Sequence, residues 1–113
     1  MKIVIVGNGK VGYSLAERLA AEQHDVTVVD IHEQKLSGTA DVLDVMTVQG
    51  NGVSTVTLRQ AGADTADLLV STTNSDEVNM VCCLTAKNLG TKYTIARIRT
   101  PEYNINQIGR AHV

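Results

Sequence analysis

Cysteine is scarce in this chain, and basic excess, long apolar runs and low-complexity sequence are missing. Only Cys82 and Cys83 are present. Adjacent on what should be a helix, their side chains point about 100° apart. They offer neither a disulfide framework nor the ligand spacing of a zinc site, and they read as two small semi-buried hydrophobes. Ten basic residues against twelve acidic ones leave a net charge of −2. With no basic block either, general attraction to nucleic acid or to an anionic lipid surface is excluded. The apolar runs at residues 3–6 and 26–29 are far too short to cross a bilayer, and Lys2 leads into the first without a signal-peptide apolar region. The expected chain is soluble and cytoplasmic, without direct membrane insertion. Its 113 residues suit one domain, enough for a sheet between two helical layers but not for a separate substrate domain. Catalytic constellations are also missing. No Ser-His-Asp set, H-E-x-x-H or paired carboxylates occur, and His24 and His112 lie in a helix-strand connection and in the tail. No catalytic residue and no metal ligand is expected.

What is present begins at residue 3. Ile-Val-Ile-Val runs into Gly7-Asn8-Gly9-Lys10-Val11-Gly12, a G-x-G-x-x-G between a strand and a helix, and Asp30 closes a second β-branched run. This is the recipe for holding a dinucleotide. A helix from 10 to 21 is expected from Val11, Leu15, Ala16, Leu19 and Ala20 at helical spacing, with strands at 2–6 and 26–30. A modest helix from 32 to about 40 and a third strand at 44–48 follow, ended by Gly50-Asn51-Gly52. A helix at 54–61 precedes a nearly continuous apolar strand at 67–72, as for one buried on both faces. Asn74 then reads as an N-cap, with Glu77 completing a capping box on a helix to Gly90 whose inner side is offered by Val78, Val81, Cys82 and Leu89. The fifth strand is 93–99, stopped by Thr100-Pro101. Alternating strands and helices of this length demand a parallel sheet with right-handed crossovers. The expected fold is α/β: a doubly wound, Rossmann-like parallel sheet with helices on both faces. Residues 104–113 lack a clear period and read as an irregular tail at a truncation point of a longer chain.

Each motif then acquires a role. Gly7 permits the tight turn, Gly9 lets backbone approach a pyrophosphate, and Gly12 lets the helix sit close to the sheet. Asn8, Lys10 and Val11 complete a loop whose helix-start N–H groups face phosphate. Asp30 is suited to accept both ribose hydroxyls of an adenosine, and its charge repels a 2′-phosphate, so NAD(H) is preferred over NADP(H). The same Asp30 is also a candidate cap for the helix near His32, itself taken as a surface residue. Asn51 is either a turn residue or a ligand to an adenine edge. Chain order reverses between the first and fourth strands, so Thr73 and Asn74 flank the crevice and suit pyrophosphate or the second ribose. Arg97 and Arg99 share one face of the fifth strand. Arg97 either reaches a phosphate or ribose or pairs with an acid such as Asp76.

Six stretches take this from a generic dinucleotide fold to a particular family: residues 1–12, 24–30, 48–52, 58–63, 73–80 and 95–103. Thr-Asn-Ser-Asp-Glu-Val-Asn-Met and Ala-Arg-Ile-Arg are the most specific. With them the chain resembles the RCK or KTN (TrkA-N) family, the N-terminal nucleotide-binding domains of Trk-type potassium-uptake regulatory proteins. The resemblance covers residues 1–103. It implies a peripheral protein on the cytoplasmic face of the cell membrane, docked on a potassium transporter or channel and assembled as a homodimer or larger ring. It also implies a nucleotide, NAD(H) or in some relatives ATP or ADP, held by residues 7 through 11 with Asp30, Asn51, Thr73, Asn74 and Arg97. The rival expectation is the cofactor half of an NAD-dependent dehydrogenase whose catalytic domain lies elsewhere.

Overall fold

The computed structural model describes residues 1–102; Tyr103, the expected tail and His112 lie outside them. Five parallel strands, β1 (Lys2–Val6), β2 (Asp25–Asp30), β3 (Met46–Gln49), β4 (Leu68–Ser71) and β5 (Tyr93–Ala96), stand in the order β3-β2-β1-β4-β5. The β-branched run of β1 is central for a physical reason. Ile3, Val4 and Ile5 are wholly buried, because both faces of this strand are covered. Ile3 and Ile5 point to one layer with Val26, Val28 and Leu36, over which α1 (Lys10–Ala21) and α2 (Glu33–Val42) lie. Val4 and Val6 point to the other with Val29, Leu58, Leu69, Cys82, Cys83 and Ala86, under α3 (Thr55–Gln60) and α4 (Asp76–Leu89). The doubly wound parallel sheet with helices on both faces is therefore what the chain forms.

Burial pushes the thiols of Cys82 and Cys83 up to about 11 and about 12. They are core hydrophobes and poor nucleophiles at neutral pH.

Several boundaries differ from expectation, each with a cause. β3 begins at Met46 because its pairing with β2 runs from Thr27–Met46 to Asp30–Gln49. β5 ends at Ala96, opposite Ser71 where β4 ends. The Arg97 amide still donates to the Ser71 carbonyl at 2.9 Å, but Arg97 and Arg99 lie past the strand. A 3-10 turn, Ala63–Thr65, fills the approach to β4. The N-cap of α4 is Ser75 rather than Asn74: Ser75 has extended backbone and its Oγ accepts from the Val78 amide at 3.2 Å. Glu77 is thus one residue too early for a capping box, and it instead accepts from the Ser75 hydroxyl at 3.3 Å. The inner face of α4 is Asn79, Cys82, Cys83 and Ala86, with Val81 exposed. On α1 the inward residues are Gly12, Leu15, Ala16 and Leu19, and Val11 faces outward.

Strands β1 to β4 end at one level. Single backbone bonds carry the ladder into the loops after β1, β3 and β4: Gly7 to the Val29 carbonyl, Gly50 to Asp30, and Thr72 to Val6. Sheet order reverses between β1 and β4, so their loops part to opposite sides and leave a crevice between them.

Candidate functional site

A groove of about 390 Å³ opens at that crevice, within the size range of small-molecule sites. Loops after four strands line it: Gly7 and Gly9 after β1, Asp30, Ile31 and His32 after β2, Gly50, Asn51 and Gly52 after β3, and residues 72–75 after β4. Lys35 and Val78 complete the wall from α2 and α4.

The floor is the turn from β1 to α1. Gly7 has φ of +98°, a conformation that L side chains rarely adopt. A Cβ at Gly12 would overlap the Gly7 carbonyl oxygen, so α1 can start this close to the sheet only with glycine there. Gly9 is the contrast, since a Cβ there meets nothing within 4 Å. Its side points to open groove, the space a phosphate needs. The first bond of α1 runs from the Tyr13 amide to the Gly9 carbonyl. The amides of Lys10, Val11 and Gly12 therefore have no intrahelical acceptor and present the positive end of the helix.

Asp30 stands across from this loop with its side chain 9% exposed. One carboxylate oxygen accepts from the Asn8 amide at 2.7 Å. The other accepts from the His32 amide at 2.8 Å and faces His32 Nδ1 at 3.0 Å. Burial alone would push this carboxyl up. The bonds from Asn8 and His32, with the charge of Lys35, outweigh it and hold Asp30 below the ordinary carboxylate range. Asp30 is thus an anion at neutral pH.

The Asn8 side chain turns beneath the loop instead of into the groove. Its Nδ2 donates to the Lys35 carbonyl at 3.0 Å and the Thr39 hydroxyl at 2.6 Å, tying the β1–α1 loop to α2. Asn51 folds over its own turn, its Oδ1 accepting from the Val53 amide at 3.0 Å. That leaves the Asn51 amide NH₂ for a ligand.

The opposite wall is organised by a residue the sequence reading quoted but gave no role. Asn79 is fully buried. Its Oδ1 accepts from the Ser71 hydroxyl, the Thr73 amide and the Thr73 hydroxyl at 2.9, 2.9 and 2.7 Å. Its Nδ2 donates to the carbonyls of Thr73 and Arg97 at 3.1 and 2.9 Å. The Thr73 hydroxyl is therefore engaged within the protein, whereas the exposed Asn74 side chain makes no hydrogen bond among the described residues. The signal for Asn79 was a lone amide in an apolar stripe at 79, 82, 83 and 86. The same loop is held from behind by Asp76, which accepts from the amides of Arg99 and Thr100 at 3.0 and 2.7 Å. The Thr100 side chain and these amides keep the Asp76 carboxyl below its usual range.

Of the expected ligand residues, the fold brings Gly7, Gly9, Asp30, Asn51, Thr73 and Asn74 to one groove. Lys10 and Val11 instead line an outer cleft along α1 with Ser14, Leu15 and Arg18. Gly12 serves packing. Arg97 does not line the groove. The acid expected as its partner, Asp76, binds the backbone of Arg99 and Thr100 instead. Ile31, His32, Lys35 and Val78 join the wall unforeseen.

A family model for the TrkA-N domain matches residues 3–113. The chain belongs to the TrkA-N family. This TrkA-N domain is 48% identical over 104 residues to the Trk system potassium uptake protein TrkA of Halomonas elongata, an alignment covering 91% of this chain and 23% of that protein. It thus spans about a quarter of the length of the first curated relatives it matches. Among solved structures, the NAD(P)-binding domain of an exopolyphosphatase-related protein from Archaeoglobus fulgidus superposes with a TM-score of 0.82 at 19% identity, over 97% of this chain and 81% of that one. The GsuK channel bound to NAD superposes with a TM-score of 0.78 at 22% identity, over 90% of this chain and 18% of the channel subunit. Both likenesses show that the TrkA-N domain has a Rossmann-like fold. No helix among its described residues is long and apolar enough to cross a membrane.

Proposed function

We propose that this domain binds NAD(H) in the groove and acts as the nucleotide-sensing part of a potassium-uptake regulator. The observation that carries the reading is the pairing of unsatisfied helix-start amides beside an open Gly9 with an ionised Asp30 across the groove. Diphosphate fits the first, and the adenosine ribose fits the second. Asn51 is available to the adenine, and residues 73 and 74 to the second half of the dinucleotide. Asp30, His32 and Lys35, the titratable side chains lining the groove, all stand on the adenosine side. This supports a binding role over hydride transfer, which uses an acid or base beside the nicotinamide.

The relatives named as Trk potassium uptake proteins supply the context: a regulatory subunit, cytoplasmic and peripheral, residing on a potassium transporter or channel as a homodimer or larger ring. Residues 1–103 make up the nucleotide domain in this reading. Nucleotide binding biases the arrangement of neighbouring domains by its differential affinity for their states, a coupling of about 1–3 kcal/mol in typical cases. ATP and ADP share the adenosine diphosphate portion and are the alternative ligands.

Thermal melting with NADH, NAD⁺, NADPH, ADP and ATP tests the reading. A ligand at 100 times its dissociation constant stabilises by about 2.7 kcal/mol. NADH or NAD⁺ is expected to raise the melting temperature and NADPH to do so less. Flat curves for all five remove the binding function, and a stronger response to NADPH overturns the role given to Asp30.

A further inference from the structure

Asp30 lacks the free acceptor capacity that a ribose requires. An ionised carboxylate offers about four lone-pair sites, two on each oxygen. On Oδ2 the Asn8 amide takes one. On Oδ1 the His32 amide and His32 Nδ1 take both. One site remains, whereas the two hydroxyls of an adenosine ribose need two. The backbone donors of Asn8 and His32 are fixed by the turn and by the start of α2. The His32 ring is not: its side chain is 60% exposed and makes no capping bond to α2.

We propose that His32 is a built-in competitor for the nucleotide, occupying the acceptor position on Asp30 that the second ribose hydroxyl must take and yielding it when ligand binds. The inference rests on the NAD(H) reading of the groove. It makes His32 a specificity-determining residue for the cis-diol, since a ligand with a single hydroxyl at this position uses the free site and leaves the ring in place. Asp30 is the one carboxylate among the described residues that line the groove. The loops after β1, β3 and β4 contribute only glycine, amide and hydroxyl groups to the groove wall.

The test uses the 113-residue chain and its His32→Ala variant, with affinities from isothermal titration. ADP, 2′-deoxy-ADP and NAD⁺ are compared in both chains. In the native chain ADP and 2′-deoxy-ADP should bind within about threefold of each other. In His32→Ala ADP should outbind 2′-deoxy-ADP by roughly tenfold, the scale of one hydrogen bond to a charged group. If NAD⁺ binds but both chains show the same ADP to 2′-deoxy-ADP ratio, the competitor role is overturned while the NAD(H) reading stands. If neither chain binds any of the three, both fall together.

Discussion

Replacing Asn79 with leucine removes one buried amide at nearly constant volume, so loss of packing contributes little. The damage is to the partners left behind. The Ser71 hydroxyl is fully buried and loses its acceptor, the Thr73 amide and hydroxyl lose the same acceptor in a partly buried setting, and the carbonyls of Thr73 and Arg97 lose a donor. A buried polar group stranded without a partner costs about 1–3 kcal/mol, less where water can reach it. Taking the Ser71 and Thr73 groups as the stranded ones and allowing the Arg97 carbonyl to find solvent, the expected loss is about 3–5 kcal/mol. For a chain of this size that corresponds to a fall in melting temperature of roughly 12–20 °C. Urea unfolding by circular dichroism measures the loss directly, and intact near-native spectra at low temperature separate destabilisation from misfolding. Asn79→Leu melting within about 3 °C of the native chain would refute the claim that this amide holds the β4–α4 loop, since the five bonds would then be worth almost nothing net.

Gly9 and Gly12 should part company under the same substitution. Gly9→Ala is expected to cost under about 1 kcal/mol of stability while abolishing the nucleotide-induced rise in melting temperature, because its Cβ meets only open groove. Gly12→Ala should destabilise strongly, since its Cβ runs into the backbone of Gly7; equal losses of stability in the two variants would contradict this geometry. Asp30 predicts a pH effect of definite sign. Its carboxyl is held below the unfolded value, so its stabilising bonds are fully present above about pH 4 and are lost as pH falls through the lowered folded value. The gap in stability between the native chain and Asp30→Asn should therefore be level from pH 7 to about pH 5 and shrink in more acidic solution. A gap that widens on acidification would reverse the sign.

The elements fixed by backbone needs were legible without coordinates. A β-branched run closed by Gly7 and followed by Gly12 admits few other arrangements, and the turn, the helix and the position of Asp30 followed from it. Asp76 and Asn79 were harder, because their roles depend on what β5 brings alongside α4 from some twenty residues away in the chain. Asn74 and Ser75 are both good caps by type, and the choice fell to Ser75 through the path of the β4 loop. Val81 lost its expected place for a similar reason, since the register of α4 follows the buried Asn79 rather than the most apolar stripe. His32 looked like surface and is largely so; only the short span from Asp30 through the turn puts its ring on the carboxylate.

The carboxylate of Asp76 has a mechanical consequence. It fastens the backbone at Arg99 and Thr100 to the first turn of α4, whose preceding residues Asn74 and Ser75 border both the groove and the cleft beside residues 99–102. A pull on the backbone at Arg99 and Thr100 is therefore borne by the same turn of α4 that borders the groove.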